Sequence, residues 1–142
     1  METYCQRQNE TMKTDFTLNP IGVVESKLVK VKDAPCQGSM GAGEAWITIN
    51  ENVIDGMKDV KVDDQIIVLT WLHVADRSVL SVHPQDNKNN PLTSVFATRS
   101  ADRPNPIGLH PVTVLEISGN KIKVKPLEAI DGTPVVDIKP VI

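Results

Sequence analysis

Aromatic side chains are scarce in this sequence: two Trp, one Tyr and two Phe in 142 residues, 4% in all. A core here has to be built from Val, Ile and Leu, and the β-branched members of that set suit a pleated sheet. Cysteine is equally sparse. Cys5 and Cys36 lie in unlike contexts, one of them in a polar N-terminal stretch, which argues against a structural disulfide. No apolar run approaches the roughly 20 residues that span a bilayer. The opening METYCQRQNETMKTD has no apolar segment of the kind a secretory signal needs, so the chain reads as cytoplasmic. Surplus positive charge is missing too. The formal net charge is −3, which disfavours broad phosphate binding and leaves any nucleic-acid contact to local patches. Those patches are the lysines at 27, 30 and 32, Arg99 with Arg103, and Lys121, Lys123 and Lys125. The last three alternate along a predicted strand and share one face. That face suits either an RNA contact or a solvated guard against strand aggregation.

What is present is ordinary globular composition, 40% hydrophobic and 23% charged. The length holds one core and not two. Residues 1–15 read as a flexible polar leader and 16–142 as one domain. Ten Pro and eight Gly punctuate short apolar runs, the pattern of strands joined by tight turns. A first strand is predicted over 16–24, with Pro20 marking an edge or bulge. Residues 27–43 read as a loop, and 44–50 as a half-buried strand around Trp46. Val53, Ile54 and Met57 have helical spacing, so a short helix is expected over 52–60. The run QIIVLTWLHV at 65–74 predicts a central strand, with 78–82 as its hairpin partner. Further strands are expected at 94–98, 112–117, 121–124 and 135–138, with Ser118-Gly119-Asn120 as a hairpin turn and 129–134 as another turn. About seven short strands and little helix point to an all-β, mainly antiparallel fold. The expected architecture is a closed or nearly closed β-barrel with one or two short helices. Trp46 and Trp71 are expected in its core.

The most informative stretch is SVFATRSADRPNPIGL, residues 94–109. Pro104 and Pro106 fix two φ angles and delete two backbone donors. Asn105, preceding a proline, is pushed toward an extended conformation. Gly108 stands where a side chain would obstruct. The result is a stiff extended segment whose polar backbone groups cannot all join a ladder. Such a segment either reads a flat ligand edge, such as adenine, at little ordering cost, or simply closes the sheet as a rigid turn.

FATRSADRPNPIGL closely resembles the signature FATRS-x-x-RPNPIG of the TrmO/YaeB family, also called TsaA-like. Two further segments agree: PIGVV at 20–24 resembles the family's opening strand, and DGTPVVDIKP at 131–140 its closing one. PCQG at 35–38 and the His73 of WLHVA fall between them in order. The resemblance spans residues 16–142. It implies a β-barrel that dimerises, S-adenosylmethionine as cofactor, and methylation of N6 of threonylcarbamoyladenosine beside the tRNA anticodon. It also implies cofactor contacts at Pro35, Cys36 and Gln37, at His73 and Val74, at Arg99 and Leu109, and at Glu128, Ala129, Ile130 and Asp131. No G-x-G-x-x-G follows a strand, so a Rossmann-type site is not expected. A methyltransferase acting on a different RNA or a small molecule, and a non-catalytic S-adenosylmethionine-binding module, stay open as alternatives.

The residue chemistry suits these positions. Glu128 or Asp131 can accept hydrogen bonds from cofactor hydroxyls and offset a sulfonium charge. Arg99 can pair with the methionyl carboxylate or with an RNA phosphate, and Leu109 can pack on an adenine face. A urea-like N6 is a poor nucleophile until its proton leaves, and His73 and Asp131 are the candidate bases. Arg103, Lys121 and Lys123 are the candidate RNA contacts, although Arg103 is equally suited to bracing the proline-rich turn through carbonyls. His73, His83 and His110 lack metal-ligand spacing, and no metal is expected. Cys36 has no neighbouring His in sequence and is not read as a nucleophile. Asp137 and Lys139 share a strand face and can form an ion pair. Glu25, Cys36, His110, Glu128 and Val141 stand where the family's pattern usually has other residues, and they bear on the identity of the methyl acceptor.

Overall fold

The computed structural model describes residues 3, 16–27 and 43–142. Among them the strands are β1 (Gly22–Glu25), β2 (Ala45–Ile49), β3 (Gln65–Trp71), β4 (Ser81–Val82), β5 (Thr93–Ser94), β6 (Ile107–Ser118), β7 (Lys121–Lys125) and β8 (Pro134–Pro140). Three short 3-10 turns, Glu51–Met57, Pro84–Asp86 and Val95–Ala97, complete the regular structure. Six strands pair in the order β1-β2-β7-β6-β3-β8, and β8 pairs back onto β1. Every pairing is antiparallel. The expectation of a mainly antiparallel sheet with few helices is met. No helix among the described residues is long and apolar enough to cross a membrane.

Alternation explains the ring. Ile66, Val68 and Thr70 of β3 point inward, as do Gly108, His110, Val112 and Val114 of β6 and Ile122 and Val124 of β7. Of these, Ile66, Val68, Val112, Val114, Ile122 and Val124 form one aliphatic core with Val24, Ile47, Ile49, Leu127 and Val135, which is how so few aromatics suffice. β6 is the longest strand and is shared. Its first half pairs with β3, from Ile107↔Trp71 to Thr113↔Gln65, and its second half with β7, from Thr113↔Lys125 to Ser118↔Lys121. Pro111 falls in the half that pairs with β3 alone, where a missing N–H breaks no second ladder.

Several expectations need correction. Residues 78–82 are not the hairpin partner of β3. Both edges of β3 are taken by β6 and β8, and β4 pairs with β5 in a separate two-stranded sheet. The first strand begins only at Gly22: Pro20 has no N–H to give, and Phe16 and Leu18 are exposed with no core to pack on. Of the strand expected over 94–98, only Ser94 lies in a strand, the two-residue β5, and the chain then coils so that Thr98 N–H donates to the Val95 carbonyl. The helix expected over 52–60 is a 3-10 turn whose Ile54 and Met57, with Val60 beyond it, rest against the core. Neither tryptophan lies in the core. Both are half-buried on the outer face, each under a cation: Lys123 Nζ is 5.4 Å from the Trp46 ring centroid and Arg77 Cζ is 5.1 Å from that of Trp71.

Candidate functional site

Three chain segments meet at one end of the ring, where β3 ends and β6 and β8 begin. Gly108 and Val135 both pair with Thr70, one from each side. The β3–β8 register shifts between Leu69 and Thr70, a bulge of the kind that re-aims side chains. From this end hang the turn after β3, the proline-rich segment before β6, and the turn before β8.

The first two are zipped together. Leu72 N–H donates to the Pro106 carbonyl at 2.8 Å, and Asp76 N–H to Asp102 Oδ1 at 2.8 Å. Arg77 lies over Trp71, donates through Nε to the Pro104 carbonyl at 2.7 Å and through Nη2 to Asn105 Oδ1 at 3.1 Å. The prolines cannot donate, so their carbonyls are satisfied from outside the segment. Ser78, through both its hydroxyl and its N–H, donates to Asp76 Oδ1 and holds that carboxyl below its usual range. Arg103 is half-buried and braces the segment from within, donating to the carbonyls of Ser100 at 2.8 Å and of Val95 and Thr98, each at 2.6 Å. Its fork is thereby largely occupied. Arg99 is exposed and has no ion-pair or hydrogen-bond partner among the described residues. His73 and Val74 are exposed at the tip of the adjoining turn.

The third segment, residues 128–133, is stitched to β1. Gly132 N–H donates to the Val24 carbonyl at 2.8 Å and Val24 N–H to the Thr133 carbonyl at 2.9 Å. Ser26 N–H reaches Asp131 Oδ1 at 3.0 Å, and the Thr133 hydroxyl closes the turn onto the Ile130 carbonyl at 2.7 Å. Gly132, at φ +84°, takes a left-handed conformation that other residues rarely adopt. Asp131 is exposed and Ala129 is buried in the core. Glu128 reaches inward to His110, with Oε1 2.7 Å from Nδ1. Thus two positions that depart from the family pattern touch each other.

Of the residues singled out in the sequence, His73, Val74, Arg99 and Arg103 therefore fall in one zipped group, and Glu128 to Asp131 in a second, at the same end of the ring. Leu109 is apart from Glu128: its side chain leaves the outer face of β6, whereas its neighbour His110 points inward. Pro35, Cys36 and Gln37 lie outside the described residues. Lys121 and Lys123 pair with Ser118 and Glu116 at the far end of β6, about 35 Å of strand from Ile107. The other way round the ring, Lys121 Nζ meets Glu25 Oε2 at 3.1 Å, next to the Ser26 that holds Asp131. The Thr48 hydroxyl, donating at 2.8 Å, and the Lys121 ammonium hold the Glu25 carboxyl below its usual range. Lys123 Nζ lies 3.5 Å from Glu44 Oε2 and 3.9 Å from Glu116 Oε2. Asp137 and Lys139 do form an ion pair, at 3.0 Å. No group of three or more His, Cys, Asp or Glu among the described residues is placed to hold a metal ion. Sequence reasoning missed Arg77 and the Thr70–His110 contact, since none of the three residues belongs to the motif and their partners are distant in sequence.

The family model of the tRNA-methyltransferase O N-terminal domain matches residues 23–142. The chain belongs to that family. A relative in Methanothermobacter thermautotrophicus, named "Probable S-adenosyl-L-methionine-binding protein", is 40% identical over 126 residues, covering 89% of this chain and 90% of that protein. An "S-adenosyl-L-methionine-binding protein" of Archaeoglobus fulgidus is 43% identical over 122 residues, 86% of each chain. The fold is that of solved TrmO structures. The Pseudomonas aeruginosa protein superposes with a TM-score of 0.71 at 24% identity, over 91% of this chain and 57% of that one. This chain thus spans less than three fifths of the length of that solved protein.

Proposed function

We propose that this chain binds S-adenosylmethionine at the end of the ring where β3, β6 and β8 meet, and transfers its methyl group to N6 of threonylcarbamoyladenosine in tRNA. The observation that carries this reading is the convergence there of the His73 turn, the proline-stiffened segment with Arg99, unpaired among the described residues, and the Glu128–Asp131 turn. The donor set fits the cofactor's chemistry: a free guanidinium for a carboxylate, two carboxylates for hydroxyl or amino groups, and rigid backbone for a flat base. The cofactor supplies an activated methyl on a sulfonium. Arg99 anchors the carboxylate end, and Glu128 and Asp131 orient the hydroxyls and offset the positive charge. The zipped 72–77 and 102–107 segments fix the angle of approach, because an in-line displacement depends chiefly on alignment and exclusion of water. The proton leaving N6 goes to His73, which is exposed at the turn tip, or to Asp131, whose carboxylate Ser26 holds in place. Pro35, Cys36 and Gln37 complete the cofactor contacts. The chain works as a homodimer, with the exposed Phe96, Ile107 and Leu109 available to a second copy.

One observation favours a second reading, in which the acceptor is a different RNA or a small molecule. Lys121 and Lys123 are matched by Glu25, Glu44 and Glu116, so a phosphate backbone has to displace carboxylates before it gains contacts there. Incubation with labelled cofactor and bulk tRNA, followed by nucleoside mass spectrometry, separates the two. Label on threonylcarbamoyladenosine supports the first reading, and cofactor binding without label on that nucleoside supports the second. Arg99→Ala is expected to weaken cofactor binding in calorimetry with the melting temperature unchanged. Asp131→Asn is expected to slow turnover more than it weakens binding if Asp131 takes the proton, and equal losses would make it a binding residue only.

A further inference from the structure

Among the described residues His110 is the one fully buried titratable side chain, 3% exposed. It points into the ring from β6, and both ring nitrogens are engaged. Nδ1 lies 2.7 Å from Glu128 Oε1 and Nε2 lies 2.7 Å from Thr70 Oγ1. The chemistry of the partners assigns the proton. An ionised carboxylate only accepts, so Nδ1–H donates to Glu128. Nε2 of the neutral ring is then an acceptor, and the Thr70 hydroxyl donates to it. No buried side-chain nitrogen or oxygen among the described residues is left without a partner. A proton on Nε2 instead would turn the Thr70 hydroxyl into an acceptor and leave its own hydrogen without one. Gly108 is the floor of this arrangement: it pairs directly with Thr70, and a Cβ there would overlap both Thr70 Oγ1 and His110 Nε2.

We propose that His110 is a positioning residue for the cofactor turn: a neutral imidazole, braced by Thr70, that fixes the Glu128 carboxylate and leaves Oε2 free to accept from the ligand. Oε2 has no hydrogen bond among the described residues, and the Glu128 side chain keeps 18% exposure, an opening toward solvent that His110 lacks. This inference rests on the cofactor reading above. It ties that turn to the ring interior, since Thr70 sits at the β3–β8 bulge.

The test uses the full chain. Long-range nitrogen–proton NMR of the ligand-free protein is expected to show the Nδ1–H tautomer of His110, and an Nε2–H pattern overturns the proposal. Calorimetry with S-adenosylmethionine then compares wild type, Glu128→Ala, His110→Phe, His110→Asn and the Glu128→Ala/His110→Phe double variant, each checked for folding by thermal melting. Glu128→Ala and His110→Phe are each expected to weaken binding by about tenfold, the scale of a lost charge-assisted hydrogen bond. The double variant is expected to be no worse than Glu128→Ala. His110→Asn, whose amide N–H stands near the Nδ1 position, is expected to recover most of the loss and carries the test if the Phe variant does not fold. Wild-type affinity in His110→Phe, or fully additive losses, overturns the positioning role alone. A wild-type chain that binds no S-adenosylmethionine overturns the cofactor reading and the ligand half of this proposal together.

Discussion

Replacing Gly108 by Ala adds one methyl group in a place with two fixed neighbours. The new Cβ would overlap Thr70 Oγ1 and His110 Nε2, both buried and bonded to each other. The strands are pushed apart and the pair is broken. Overpacking of this kind costs about 1–3 kcal/mol, and a buried hydrogen bond lost with its partner stranded costs about 1–3 kcal/mol more. Ala itself is slightly better than Gly in a strand, by about 0.5 kcal/mol. The net expectation is a loss of about 3 kcal/mol, or a fall of roughly 10 °C in melting temperature for a chain of this size. The informative assay is urea denaturation of Gly108→Ala in two backgrounds, wild type and Thr70→Ala/His110→Ala. With both obstacles removed, the cost of the added methyl is expected to drop below about 1 kcal/mol. An equal loss in the two backgrounds would refute the steric argument and point to a backbone requirement at residue 108.

Arg103→Ala removes the donors to the carbonyls of Ser100, Val95 and Thr98 and is expected to cost about 2–3 kcal/mol in urea denaturation. Arg103→Lys restores little of it because an ammonium lacks the planar fork, and a loss under about 0.5 kcal/mol would contradict the bracing role. Acid stability offers a separate test. Glu25 and Asp76 both ionise more readily folded than unfolded. Their stabilisation is therefore present above the ordinary carboxylate range and lost as pH falls through the depressed folded values. In Glu25→Gln/Asp76→Asn the melting temperature is expected to lie below wild type at neutral pH, the gap closing on acidification, and a gap constant with pH would contradict it.

Much of the sheet was legible because its strands obey a period of two. β2, β3, β7 and β8 appear close to where alternating or continuous apolar runs placed them. The ring order was not legible, because the sequence of 78–82 carries no mark that both edges of β3 are already occupied. β6 begins five residues earlier than the apolar run at 112–117 suggested. The prolines ahead of it read as a turn, yet Ile107 to Pro111 pair fully with β3. At the site, the motif pointed to the right stretch of chain but not to its fastenings. Arg77 acts on carbonyls 27 and 28 positions away, and His110 on partners 40 and 18 away. His110 did leave a trace, since it has the same inward parity as Gly108, Val112 and Val114, an unusual seat for an imidazole.

The seam between β8 and β1 is held by only two register pairs, Gly22↔Val135 and Val23↔Pro134. Beyond them, the clasp is the 131–133 turn itself, hooked onto Val24 and Ser26 by three hydrogen bonds. The hoop's thinnest joint and the proposed ligand cradle are thus the same few residues. A ligand that grips that cradle would also keep the first stave from swinging away, so saturation with it would tighten the whole hoop.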